Sequence, residues 1–181
     1  MMQVRHFFLA WCSVALLALA GCSAPKVQDY ANTEPKLDLF SYFAGKSQAY
    51  GQFQDRSGAV KRRFTVDITG TVEGDQLTLD ERFVYDDGEK EQRVWVIQRL
   101  ANNQYSGTAG DVIGTAYGES AGSVFTWRYT LDLPYKDSSI HVKFDDWMFL
   151  QSDDVMLNRA EVTKWGFKVG EVTLFFSKAQ P

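Results

Sequence analysis

The chain has 181 residues, 45% hydrophobic and 14% aromatic, with 19 basic against 23 acidic side chains and a net charge of −4. That length suggests one domain, the aromatic load excludes intrinsic disorder, and the acidic balance excludes a strongly basic nucleic-acid binder. Four prolines and 14 glycines exclude collagen-like and low-complexity chains.

The first 22 residues read as an address. Arg5 and His6 precede an uncharged stretch over residues 7–20, which runs into Leu19-Ala20-Gly21-Cys22. A short basic head, an apolar stretch of about 14 residues and a small-residue cleavage site make a secretory signal. A membrane-spanning helix needs roughly 20 apolar residues, more than any later stretch supplies. The ending Leu-Ala-Gly-Cys resembles the lipobox of bacterial lipoproteins. The resemblance implies cleavage before Cys22, a diacylglyceryl thioether on its sulfur and an acyl chain such as palmitate on its new amino terminus. Two or more acyl chains make an anchor that hardly leaves the bilayer. Ser23, by resemblance to lipoprotein sorting in Gram-negative bacteria, implies export to the periplasmic face of the outer membrane. Cys12 is lost with the signal, so no internal disulfide can form and the core alone must hold the fold.

Residues 1–21 are thus expected as signal peptide, 22–36 as lipidated N-terminus and tether, and 37–181 as one domain. The tether carries Pro25 and Pro35 and lacks apolar periodicity. Residues 37–43 suit one short helical turn. After Gly45 the pattern becomes strand-like. Phe64, Val66 and Ile68 alternate with Arg63, Thr65 and Asp67; Leu77, Leu79, Phe83 and Tyr85 share one phase. Phe125, Trp127, Tyr129, Leu131 and Leu133 share another, as do Ile140, Val142, Phe144, Met148 and Leu150. This period of two marks half-buried strands.

Turn signals at Arg56-Ser57-Gly58, Glu73-Gly74-Asp75, Asp86-Asp87-Gly88, Asn102-Asn103, Ala121-Gly122-Ser123 and Ser152-Asp153-Asp154 separate the runs. About ten strands are expected, near 46–53, 60–73, 76–85, 90–100, 104–109, 113–120, 124–134, 139–150, 155–165 and 167–177. Long consecutive hairpins with one apolar face predict an all-β, antiparallel up-and-down barrel with one short N-terminal helix, because closure removes the open edges of a flat sheet. A barrel spanning the outer membrane is disfavoured, since Arg63, Asp67, Asp80, Arg82, Arg128, Asp132, Lys143 and Asp145 would face lipid.

Several segments together carry a resemblance: residues 50–58, Lys61-Arg62-Arg63-Phe64, residues 83–88, Phe144-Asp145-Asp146-Trp147-Met148 and residues 164–172. They resemble a family of proteobacterial lipoproteins known as domain of unknown function 3833, over about residues 40–178, with Phe-Asp-Asp-Trp-Met the most specific piece. That family brings no established activity. More distantly, Phe43-Ala44-Gly45 is similar to the opening of lipocalins, although Ser47 stands where those place a tryptophan. The barrel is accordingly expected to be lipocalin-like.

Chemistry has few carriers. The one mature histidine, His141, lies between inward-phased Ile140 and Val142 and should point outward. A Ser-His-Asp or Cys-His nucleophile, or a zinc site, therefore lacks its parts. No cofactor, metal or nucleic-acid partner is expected, and Asp86-Asp87, Asp145-Asp146 and Asp153-Asp154 do not fit a calcium loop. Lys61-Arg62-Arg63 reads as a solvated strand start. Glu81 and Asp146, however, fall in inward phases, where an ionised carboxylate costs several kcal/mol unless partnered. Arg93 and Arg159 are the candidate partners.

Three readings of that pair stay open: a structural interior ion pair, an anchor for a ligand's head group, and a catalytic acid–base pair. Trp127, Tyr129, Phe83 and Phe144 would line any cavity, and Trp147 should point outward, packed by the short helix. The favoured function is a non-enzymatic, membrane-anchored binder of an apolar or amphipathic molecule such as a fatty acid or lipid. The alternatives are an enzyme acting on lipid or isoprenoid through Glu81 and Asp146, and an assembly lipoprotein whose barrel is fully packed.

Overall fold

A computed structural model describes residues 24–135 and 138–178. Cys22 and the signal segment lie outside the described residues. The ten strands are β1 (Gly45–Asp55), β2 (Val60–Glu73), β3 (Gln76–Tyr85), β4 (Lys90–Arg99), β5 (Gln104–Thr108), β6 (Ala116–Ala121), β7 (Val124–Tyr135), β8 (Ser138–Ser152), β9 (Val155–Lys164) and β10 (Phe167–Lys178). Each pairs antiparallel with the next, and β1 closes on β10, from Ser47 opposite Lys178 to Asp55 opposite Gly170. The barrel, its strand order and its single short helix match the reading of the sequence. Among the described residues no helix is long and apolar enough to cross a membrane.

Period-two patterning decides the wall. On β2, Val66 and Ile68 are buried while Thr65, Asp67 and Thr69 are exposed; on β9, Met156, Asn158, Ala160 and Val162 are buried while Leu157, Arg159 and Glu161 are exposed. The outer wall is laced with ion pairs such as Arg63–Asp86, Arg82–Asp80 and Arg128–Asp145. His141 lies outside as expected, 3.4 Å from Asp132.

The two ends of the barrel differ. Helix α1 (Leu39–Phe43), capped by Asp38 accepting from the Ser41 amide at 2.8 Å, buries Leu39, Phe40 and Phe43 and plugs the end where β1 starts. Gly70 permits this seat, because a Cβ there would lie 1.8 Å from the Phe43 carbonyl oxygen. At the opposite end stand the β1–β2, β3–β4, β7–β8 and β9–β10 hairpins. The last is a two-residue turn in which Trp165 (φ 52°) and Gly166 (φ 83°) both take the left-handed region, the geometry that suits tight hairpins.

Two departures from simple meander geometry shape the wall. Strands β5 and β6 are short, and β6 starts at Ala116 rather than near 113. The intervening loop folds back onto β7, with Val112 bridging Leu131 and the Asp132 amide donating to the Asp111 carbonyl oxygen at 2.9 Å. The described part of the expected tether is also fastened to the barrel. A 3₁₀ turn (Val27–Tyr30) buries Val27, 2% exposed, against Ala121 and Val124, and Leu37 donates its amide to Gly122. Trp147 does point outward, but Tyr30 of this segment packs it at 6.2 Å, not helix α1. Residues 24–178 thus contain the whole barrel and its packing partners, so a fragment beginning at Ser23 keeps every described contact.

Candidate functional site

The barrel encloses a cavity of about 1110 Å³ between the α1 plug and the hairpin end. Its floor is apolar, built from Ile68, Leu79, Ile97, Phe125, Phe176 and the plug residues Leu39 and Phe43. Its upper wall is aromatic. Phe83 stacks on Tyr85 at 6.1 Å, and Tyr129 stacks on Phe144 at 5.1 Å with planes 5° apart. Trp95 meets Tyr129 edge-on at 5.2 Å and Trp127 at 5.6 Å. Large aromatics do not fill the barrel because they sit along its wall and pack on one another, so a barrel of ten strands keeps a hollow centre.

Halfway along the cavity runs a polar belt. Glu81 on β3 stands directly opposite Arg93 on β4. The Arg93 guanidinium nevertheless makes its ion pair with Asp111 of the folded-back loop, donating from Nε at 3.1 and 2.9 Å and from Nη2 at 2.6 Å. Across the cavity Asp146, 4% exposed, accepts from Asn158 Nδ2 at 3.1 Å and from the Tyr129 hydroxyl. Met148 opposite Asn158 and Asp146 opposite Ala160 put both polar groups on the inner face of the β8–β9 pair.

Enclosure sets the electrostatics. Glu81 is only half-buried by area, since it faces the cavity, but the barrel wall surrounds it. Desolvation therefore pushes its carboxyl up to about 7, against the pull of Arg93. Desolvation likewise raises Asp146 to about 6, offset by its bonds from Asn158 and Tyr129. The Tyr129 hydroxyl is held well above its ordinary value by burial and by the Asp146 carboxylate. At the mouth, Arg62 lies 3.4 Å over the Tyr85 ring and pairs with Glu89, while Tyr85 donates to Glu91. What reads in the sequence as a solvated basic step thus contributes one side chain to the entrance.

Seven of the eight candidate residues line the cavity: Glu81, Asp146, Trp127, Tyr129, Phe83, Phe144 and Arg93. Arg159 does not. It follows Asn158 on β9 and so alternates to the outer wall, where it pairs with Glu171 at 2.7 Å. Its inward neighbour Asn158 serves Asp146 instead; the Met156, Asn158, Ala160, Val162 alternation carried that signal. Asp111 was not legible, because a loop folding back across the wall leaves no periodicity. Among the described residues, no group of three or more His, Cys, Asp and Glu side chains is placed to hold a metal ion.

The family model described as "Protein of unknown function (DUF3833)" matches residues 16–178, and the chain belongs to that family. No curated protein matches. Among solved structures, the chain is similar to the S-type phycobiliprotein lyase CPES from Guillardia theta. The two share a TM-score of 0.60 and 8% identity over 87% of this chain and 99% of the lyase, a likeness of fold alone.

Proposed function

We propose that this member of the DUF3833 family is a lipid-anchored lipoprotein of the Gram-negative cell envelope whose barrel holds an apolar or amphipathic small molecule without transforming it. The cavity carries the reading: about 1110 Å³ of aromatic and aliphatic wall with a few convergent polar groups is the usual form of a small-molecule site. The fold shared with a solved phycobiliprotein lyase is compatible with this reading. A fully packed assembly barrel loses its premise once the hollow centre is present. The enzymatic alternative would have to act through Glu81 and Asp146, the latter bonded by the Tyr129 hydroxyl.

The anchor reading rests on the Leu19-Ala20-Gly21-Cys22 ending and makes a geometric demand. Cys22 precedes the buried Val27 by five residues, a reach of at most about 18 Å. Val27 lies by the β6–β7 turn, at the plugged end, so a membrane anchor would hold that end close and turn the mouth away.

Both halves have direct tests. Titrating the fragment from Ser23 with N-phenylnaphthylamine, a neutral apolar probe, should quench Trp95 and Trp127 emission with saturation at micromolar concentration; absence of saturable quenching would overturn the binding reading. Metabolic labelling with palmitate should mark the full-length protein in the membrane fraction, and the label should vanish in Cys22→Ala. A Cys22→Ala chain labelled like the parent would sink the anchor.

A further inference from the structure

Resting on the binding reading above, we infer that the ligand's polar end is cationic, an amine head group seated in the cavity between Glu81 and Asp146. The belt holds three carboxylates, Glu81, Asp111 and Asp146, against one guanidinium, Arg93. That guanidinium already commits one bidentate edge, Nε and Nη2, to Asp111, whose charge offsets its own. Among the described residues, Glu81 and Asp146 have no cation within 4.0 Å. Asp146 has only the neutral donors Asn158 and Tyr129.

The mouth repeats the imbalance. Among the described residues, Arg62 at the mouth is engaged by Glu89 and Asp87, while Glu91 takes the Tyr85 hydroxyl. Among the described residues lining the cavity, an anionic head group would thus pass Glu89 and Glu91 to reach a belt whose three carboxylates outnumber its one guanidinium. An ammonium group meets the opposite. It supplies a counter-charge at bonding distance, which among the described residues neither Glu81 nor Asp146 has, in a low-dielectric setting where the attraction between two charges is strongest. The aromatic faces of Phe83, Tyr129 and Phe144 add favourable surfaces for a cation, and the apolar floor beneath the belt accepts a hydrocarbon tail.

The experiment is displacement of N-phenylnaphthylamine from the Ser23 fragment by decylamine, decanol and decanoate at pH 8. Added salt at about 0.3 M screens attraction at the outer surface. Decylamine should displace the probe at least tenfold more tightly than decanoate, with decanol between them. In E81Q/D146N, whose amides keep the shape, that ratio should fall below threefold. Decanoate or decanol binding as tightly as decylamine would overturn the head-group assignment while leaving the binding reading intact. A preference that survives E81Q/D146N unchanged would overturn the placing of the amine at these carboxylates. Failure of the probe itself to bind ends both readings and is seen before any competitor is added.

Discussion

Replacing Arg93 with methionine should destabilise the barrel by about 3–5 kcal/mol at pH 8, the usual cost of removing one partner from an enclosed ion pair. Arg93 is 20% exposed and carries Asp111 on a two-pronged bond, with Glu81 opposite it on β3. Methionine keeps the length and apolar stem of the side chain but leaves three carboxyls around the belt with no positive charge among them. The reading is the urea midpoint of the Ser23 fragment, with m-values compared to detect any change in the unfolded state. Adding Asp111→Asn should restore part of the loss, because an amide there needs no counter-ion, and the double-mutant cycle then isolates the pair. An Arg93→Met midpoint within about 1 kcal/mol of the parent would show that the belt does not depend on this cation.

The parent barrel should itself lose stability as pH rises from 5 to 8, by a few kcal/mol. The sign follows from the direction of the two interior carboxyls. Glu81 rises from 4.5 to about 7 and Asp146 from 3.8 to about 6, so both keep their protons in the barrel after the unfolded chain has released them. Their contribution is complete below about pH 4 and is lost as pH climbs through 6 and 7. A tenfold change in proton affinity is worth about 1.4 kcal/mol, which puts each group near 3 kcal/mol.

Carboxyls moved the other way, such as Asp38 beside Arg99 and Glu171 beside Arg159, lose their contribution only under acid, outside this window. Urea midpoints at pH 5, 6.5 and 8 should therefore fall in the parent and stay nearly level in E81Q/D146N. A parent midpoint that rises over that range would refute the placing of both carboxyls in a desolvated belt. The Arg93→Met cost should also shrink at pH 5, where Glu81 and Asp146 are protonated and no longer call on a nearby positive charge.

Much of this protein is written locally. Alternation at a period of two settles which face of each strand points inward on β2, β3 and β8, whereas the start of β7 buries Val124 and Thr126 on its other face as well as Phe125 and Trp127. The inward positions of Glu81, Asp146, Trp127 and Tyr129 follow from the same phase, as does the outward position of His141. Glycine-bearing turns at 58, 74, 88 and 122 mark where strands reverse, because only short, conformationally free residues fit there. These features depend on neighbours one or two residues away, which a sequence displays directly.

What the sequence leaves open are contacts between residues far apart in the chain. Arg159 and Asn158 are neighbours on β9, and the pairing of β9 between β8 and β10 gives each its partner, Arg159 outward with Glu171 and Asn158 inward with Asp146. Asp111 captures Arg93 because the loop after β5 folds back onto β7, and such a loop carries no period. The segment at Val27–Tyr30 reads as free tether from its prolines and polar residues, yet one buried valine and one tyrosine find an apolar patch made by β6, β7 and β8. The hollow centre is likewise a property of the closed barrel. A list of large aromatics implies either a filled core or a lined cavity with equal ease. Closure at ten strands decides between them, since the circumference grows with each strand while the length of a side chain does not.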